Sequence, residues 1–154
     1  MNLLKHNLPL DWLKYRHLLQ TKKENNQTFI YDLIRKKYIL LQPEEMVRQL
    51  CIIWLTEEAG ISRNSIQVEK SFMIHGLLRR FDIVVYNSDI QPLILIECKS
   101  PQTAITQAVF DQIAAYQYIL QAPYIMLTNG NENYIARMDG ETKKYIFFDK
   151  IPVW

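Results

Sequence analysis

Glycine is scarce in this chain, with four residues among 154, isolated at 60, 76, 130 and 140. No Gly-x-x-x-x-Gly-Lys-Ser/Thr loop can be assembled from them, so a phosphate cradle of that kind is excluded. Cysteine is scarcer still, and Cys51 and Cys98 both lie inside apolar patterns without metal spacing. They read as buried thiols in a reducing compartment. His6, His17 and His75 are scattered and none stands at a ligand spacing from a cysteine, which argues against zinc. The first residues, Met-Asn-Leu-Leu-Lys-His-Asn, lack the apolar centre of a signal peptide, and no apolar run approaches the length of a membrane span. The expectation is a cytoplasmic protein without a membrane association. Charge of one sign is also lacking. A net charge of +2 permits a local nucleic-acid patch without requiring one.

What is present is an ordinary globular composition, 49% hydrophobic and 22% charged. At this length one domain is expected, burying roughly two-thirds of the surface of its unfolded chain. The most informative stretch is Arg79–Ser100. Two runs rich in Val, Ile, Leu and Tyr bracket Asn87-Ser88-Asp89-Ile90-Gln91-Pro92, which is turn material, so the stretch reads as a β-hairpin. With the turn centred between Asp89 and Ile90, Tyr86 pairs with Leu93, Val84 with Leu95 and Asp82 with Glu97. All of these share a face, and Lys99 follows on it. Opposed residues have Cβ atoms about 4.5–5.5 Å apart, and like charges so placed repel. A divalent cation held by both carboxylates would offset that repulsion, because hard ions such as Mg²⁺ take oxygen ligands.

The rest of the chain arranges itself around this hairpin. Residues 1–42 form an N-terminal extension with two open readings: a short helix capped by Asp11 and running through Leu19, or a hairpin of Trp12–Leu19 and Thr28–Ile34, which is preferred. Pro43 opens a helix that runs to about Glu58, with Val47, Leu50, Cys51 and Trp54 at helical spacing. A strand is expected over Ser65–Ile74 and a bend at His75-Gly76. Ser100-Pro101 reads as the cap and first residue of a second helix carrying Ile105, Val109, Ile113, Tyr116 and Leu120. Tyr124–Thr128 reads as a strand buried on both faces after a crossover. Tyr134–Met138 and Lys143–Phe148 flank Asp139-Gly140-Glu141-Thr142, a hairpin signal. The expected fold class is α/β: an αβββαβ core over 43–130, a mixed sheet with a helix on each side, and a C-terminal hairpin and tail over 131–154. Within the second helix Gln112 falls in the apolar stripe, where an unpartnered amide costs a few kcal/mol, so it should point at something polar.

These features together resemble the restriction-endonuclease-like, or PD-(D/E)xK, nucleases, which share an Asp and then Glu-x-Lys on the next strand, here Asp82 and Glu97-Cys98-Lys99. Gln112-Ile-Ala-Ala-Tyr116 looks like the Gln-x-x-x-Tyr of the branch that includes RecB nucleases and type I restriction R subunits. Pro43-Glu44-Glu45-Met46-Val47-Arg48-Gln49 and Arg80-Phe81-Asp82-Ile83-Val84-Val85-Tyr86 are similar to the N-terminal domain of those R subunits, and the resemblance covers about residues 28 to 130. It implies a metal-dependent deoxyribonuclease. Asp82, Glu97 and the Cys98 carbonyl oxygen would hold Mg²⁺ or Mn²⁺, Lys99 would orient water or offset phosphate charge, and a first-helix glutamate, Glu44 with Glu45 as alternate, would complete the acid cluster. Gln112, Tyr116 and Arg80 would meet substrate. The implied partners are DNA and other restriction or repair subunits. The family's ATP-driven translocase has no counterpart here, so a stand-alone domain is expected.

Blander readings stand beside these. Glu97 and Lys99 could be a surface pair with Arg80, Gln112 a satisfied core amide and Tyr116 a packed aromatic. Arg79, Arg80 and Lys70 form a modest basic rim of low weight. The alternative function is a non-catalytic nucleic-acid-binding or assembly module on the same fold.

Overall fold

Asn25 and Asn26 both adopt left-handed backbone, with φ of 49° and 61°, and the chain reverses there. Asparagine tolerates this region better than most residues, and two such residues in succession make a tight hairpin turn. The polar run is therefore itself a hairpin, β1 (Thr21–Glu24) with β2 (Gln27–Asp32), extended by β3 (Lys37–Leu40) into a three-stranded antiparallel sheet. The expected pairing of Trp12–Leu19 with Thr28–Ile34 does not form. Trp12–Leu18 is a 3₁₀ helix instead. The reason lies in Trp12, whose burial against Trp54 at 6.0 Å draws this segment into the core, whereas β1 is exposed throughout.

The computed structural model describes residues 3–154. After β3 comes α1 (Pro43–Glu57), with Pro43 in its first turn and Glu44 and Glu45 beside it, as expected. From Val47 to Leu55 every residue is buried, which a helix with one apolar face does not require. The helix is covered on two sides, by the Trp12–Leu18 segment and β2 on one and by the main sheet on the other.

The main sheet has six strands in sequence order: β4 (Ile66–Ile74), β5 (Leu77–Tyr86), β6 (Pro92–Cys98), β7 (Tyr124–Thr128), β8 (Asn133–Met138) and β9 (Tyr145–Phe147). Only β6 and β7 run parallel, joined by the crossover helix α2 (Gln107–Leu120); the other pairs are antiparallel. One apolar layer holds Val47, Cys51 and Trp54 of α1 against Ile83, Val85, Ile94 and Ile96. The other holds Phe110 and Ile113 of α2 against Val84, Leu95, Ile125 and Leu127. This is the mixed sheet flanked by helices that the pattern implied.

Two local differences bear on the site. Val84 pairs with Leu95 as expected, but Tyr86 pairs with Pro92 rather than Leu93. The connection is tighter than a symmetric turn because Asn87 Oδ1 accepts the N–H groups of Asp89 and Gln91, and Ile90 takes a φ of 59°. Second, α2 begins seven residues later than Ser100. Residues 100–103 form a turn closed by the Thr103 N–H donating to the Ser100 carbonyl, and Thr106 caps the helix by accepting from Val109.

The β4–β5 ribbon changes face midway. Ile66 and Val68 on β4, with Ile83 and Val85 on β5, lie in the α1 layer, whereas Phe72, Ile74 and Phe81 lie in the α2 layer. The switch falls at Glu69, whose φ of 51° interrupts the ladder between Val68–Ile83 and Lys70–Phe81. Asp82 stands opposite that interruption.

Candidate functional site

Because the β5–β6 ladder ends at Ile83–Ile96, Asp82 is not a rung facing Glu97 as the sequence implied; the two flank the ladder's end. At the face change the Asp82 carboxylate turns toward β6 and α1. Its Oδ2 accepts the Cys98 backbone N–H at 2.7 Å, and its Oδ1 accepts from Arg48 Nη2 at 2.8 Å. One strand acid is thus tied to both β6 and α1.

On β6, Glu97 Oε1 accepts from Lys99 Nζ at 2.7 Å. Burial, and then the negative charge of Asp82, push the Glu97 carboxyl above the ordinary carboxylate range, with Lys99 opposing and Glu44 adding to the rise. Burial works against the Lys99 ammonium. The bond to Glu97 and the charges of Glu97, Asp82 and Glu44 outweigh it, so Lys99 is held above its usual value and stays protonated at neutral pH. Glu44, Asp82, Glu97 and Lys99 therefore act on one another electrostatically, although they come from a helix, two strands and the residue just past β6.

Glu44 and Glu45 separate clearly. Glu44 is half exposed and lies 3.9 Å from Arg48, with its charge acting on Glu97 and Lys99. Glu45 is bound by Arg48 at 2.7 Å, Gln49 at 3.2 Å and Arg35 at 3.4 Å. Burial pushes its carboxyl up, and those partners offset part of the rise.

Arg48 is the residue that the sequence reading missed. Its buried guanidinium meets Asp82, Glu45, Glu69 at 3.4 Å and Glu44. Glu69 in turn binds Arg35 at 2.9 Å, and Arg35 binds Asp32 at 2.7 Å, so an ionic chain runs from the small sheet to the acid pair. The signal was available. Positions 44, 48, 51 and 55 fall on one helical stripe, and an arginine there, between an acid and Cys51, has to be buried with partners.

The second helix brings Gln112 and Tyr116 to the same side of the sheet. Gln112 is exposed rather than buried in the apolar stripe, because the buried face of α2 is centred on Phe110, Ile113 and Gln117, and Gln112 lies about a third of a turn from Ile113. The buried amide of this helix is Gln117, which accepts from Tyr145 Oη at 2.7 Å and donates to the Ala122 carbonyl. The half-buried Tyr116 has the Arg79 guanidinium 5.4 Å from its ring centroid and Phe81 edge-on at 6.1 Å. A cleft of about 200 Å³ joins Gln112, Tyr116 and Arg79 to Glu97. Arg80, on its rim, is 3.9 Å from Glu69 and makes no ion pair with Glu97. The Cys98 thiol is buried beside Cys51, and that contact together with burial pushes it up; it is the backbone N–H of Cys98 that meets Asp82.

No group of three His, Cys, Asp or Glu side chains converges on a common point among the described residues. Asp82 and Glu97 are nevertheless an all-oxygen pair, and burial with the charge of Asp82 raises the Glu97 carboxyl. That donor set fits a hard divalent ion, which takes one or two carboxylates and fills its shell with water and phosphate.

Residues 43–152 match the family described as the type I restriction enzyme R protein N terminus. The chain belongs to that family. The matched span of this R-protein N-terminal chain holds α1, the six-stranded sheet and α2, and with them every acid, lysine, glutamine and tyrosine of the site. It starts later than the 28–130 anticipated from the sequence and runs on through the C-terminal hairpin, leaving β1–β3 outside. A fragment of a putative HsdR subunit of a type I restriction enzyme from Vibrio vulnificus YJ016 is similar at 22% identity, with a TM-score of 0.47 over 66% of this chain. This chain spans 22% of that fragment. No curated protein matches it. Among the described residues, no helix of this R-protein N-terminal chain is long and apolar enough to cross a membrane.

Proposed function

We propose that the chain is a divalent-metal-dependent nuclease domain that hydrolyses DNA phosphodiester bonds, working in the cytoplasm with other restriction or repair subunits. The observation that carries this reading is the Lys99–Glu97 bond at 2.7 Å at the strand end where Asp82 also stands, with the charges of Asp82 and Glu44 acting on both. A solvated surface would have no reason to half-bury a carboxylate beside a second acid, where burial and then the Asp82 charge push it up.

Asp82 and Glu97, with the Cys98 carbonyl oxygen, would hold Mg²⁺ or Mn²⁺. When bound, the ion supplies Lewis-acid polarisation of the phosphate and lowers the pKa of water. Lys99, kept protonated by Glu97, serves as a cation and not as a base: it orients the attacking water and offsets charge that develops on the phosphate. Glu44 adds a third carboxylate on the solvent side. Gln112, Tyr116 and Arg80 position the strand.

DNA incubated with the protein and Mn²⁺ should be nicked or degraded, and Lys99→Ala should lower the rate by about 10²–10³, the cost of removing one transition-state contact, with circular dichroism unchanged. Equal cleavage by both proteins would overturn the assignment. A second reading, a non-catalytic binding or assembly module, draws on one observation: both Asp82 oxygens already have partners, as in a structural ion pair. Calorimetry with Mg²⁺ separates the two, because that module would take up no more cation than an Asp82→Ala variant.

A further inference from the structure

The Glu97–Tyr116 cleft differs in character from the acid cluster it opens on. Its lining sets Phe81, Val109, Ile113 and Tyr116 beside the polar Arg79, Gln112 and Glu97, and Phe81 meets the Tyr116 ring edge-on. Phosphate contacts come from cations, hydroxyls and N–H groups and need no apolar or aromatic lining. Bases inside a duplex are stacked on one another and cannot enter a cleft of this size.

Beside the cleft the β4–β5 hairpin ends in a two-residue turn, His75-Gly76, with both residues at positive φ. Met73, Leu77 and Leu78 stand exposed at this tip by 67%, 56% and 66%, and Leu78 also lines the cleft. Three large apolar side chains at the end of a two-stranded arm stabilise nothing within this chain. Arg79 and Arg80 follow directly on β5, the first stacked over Tyr116 and the second 64% exposed. The apolar tip, Arg79, the Tyr116 ring and Glu97 thus follow one another along the cleft, while Arg80, the next residue on the strand, turns toward Glu69.

We propose that this cleft and the tip beside it bind unpaired nucleotides, so that the substrate is single-stranded or frayed DNA: one base stacks on Tyr116, displacing the Arg79 guanidinium from the ring onto a flanking phosphate, and the apolar tip keeps the strands apart. Every base has a π-face, so stacking on an aromatic ring is tolerant of sequence, and apolar side chains at the ends of protein arms separate stacked base steps. The exposed Gln112 amide at the cleft wall can pair with the edge of the stacked base. This deepens the nuclease reading and rests on it for the placement of a DNA phosphate at Glu97.

The test uses an oligonucleotide that carries the fluorescent base 2-aminopurine, titrated with the full chain in EDTA so that no cleavage intervenes. The single strand should bind at least tenfold more tightly than its duplex, with the emission quenched by stacking. Tyr116→Ala should lose tenfold or more in affinity together with the quench, and Tyr116→Trp should keep both. Arg79→Ala, which truncates a half-buried side chain at the cleft wall, serves where Tyr116→Ala perturbs the fold and should weaken binding with a shallower salt dependence. Equal affinity for single strand and duplex, or a quench that survives Tyr116→Ala, overturns the proposal. A parallel Mn²⁺ cleavage assay keeps the two ideas apart. Stacking without cleavage upholds the base site and removes the nuclease, and cleavage without stacking does the reverse.

Discussion

Arg48 Nη2 lies 2.8 Å from Asp82 Oδ1, and this one bond joins the first helix to the acid at the middle of the β5 strand. The guanidinium is the counter-charge that lets three buried or half-buried acids, Asp82, Glu45 and Glu69, stand within reach of one another before any cation arrives.

Removing it should be costly. Arg48→Met leaves those acids uncompensated, and breaking a buried pair by deleting one partner typically costs about 3–5 kcal/mol. Arg48→Lys should recover only part, because an ammonium cannot serve Asp82 and Glu45 with two separate nitrogens. Urea denaturation at neutral pH measures both. Wild-type stability in Arg48→Met would show the ionic chain to be incidental.

A bound cation should stabilise the fold. At a concentration near a hundred times its dissociation constant, Mg²⁺ or Mn²⁺ adds about 2.7 kcal/mol through mass action. The melting temperature should rise with added cation in the wild type and stay flat in Asp82→Ala and in Glu97→Ala. A rise of equal size in all three proteins would place the cation elsewhere.

The raised Glu97 makes stability depend on pH in a defined direction. Its folded-state pKa lies above the ordinary value of 4.5 because of burial and the Asp82 charge. Between those two values the folded protein keeps a proton that the unfolded chain has released, so stability is greatest below 4.5 and falls as pH rises through the folded pKa. Glu97→Gln should flatten that decline and leave the variant more stable than wild type at neutral pH, with the difference shrinking in acid. Thermal melts from pH 4 to 8 would show it. A wild type whose stability rises across that range at this position contradicts the assignment.

Trp12 tests whether the N-terminal segment belongs to the core. It is 2% exposed and stacks on Trp54, so Trp12→Ala should cost about 3–5 kcal/mol, the usual range for truncating a buried large aromatic. A melt within a degree or two of wild type would mean that residues 3–20 are dispensable for folding.

How much of this was legible follows the physics of each signal. Alternation of Val, Ile and Leu fixed the β5–β6 register at Val84–Leu95, since a slip by one residue would expose the whole apolar row. The same rule could not reach Tyr86, where an asparagine side chain and a left-handed Ile90 set the turn. Gln112 reads as buried from its angle to Ile105, Val109 and Tyr116, but Phe110 and Gln117 with Ile113 shift the buried stripe past it, and an apolar stripe that can be centred on either row leaves a flanking amide undecided. Strand alternation likewise could not foresee the ladder break opposite Glu69, since positive φ at a glutamate leaves no mark in the sequence. The acid pair survived that error because both residues lie at the ladder's end. The hairpin in the polar 21–32 stretch was hidden for the opposite reason: its first strand buries nothing, so hydrophobic pattern carried no information there.

The change of face at Glu69 and Asp82 divides the β4–β5 ribbon into a half against α1 and a half against α2. Residues 70–81 leave the α1 layer and pack in the α2 layer through Phe72, Ile74 and Phe81, while Met73 and residues 75–78 at the tip project into solvent. Paired insertions or deletions at that tip would lengthen or shorten the arm without moving Asp82, whose position is set by Arg48 and Cys98. The reach of the arm over its ligand is therefore a dimension that can vary independently of the acid site beneath it.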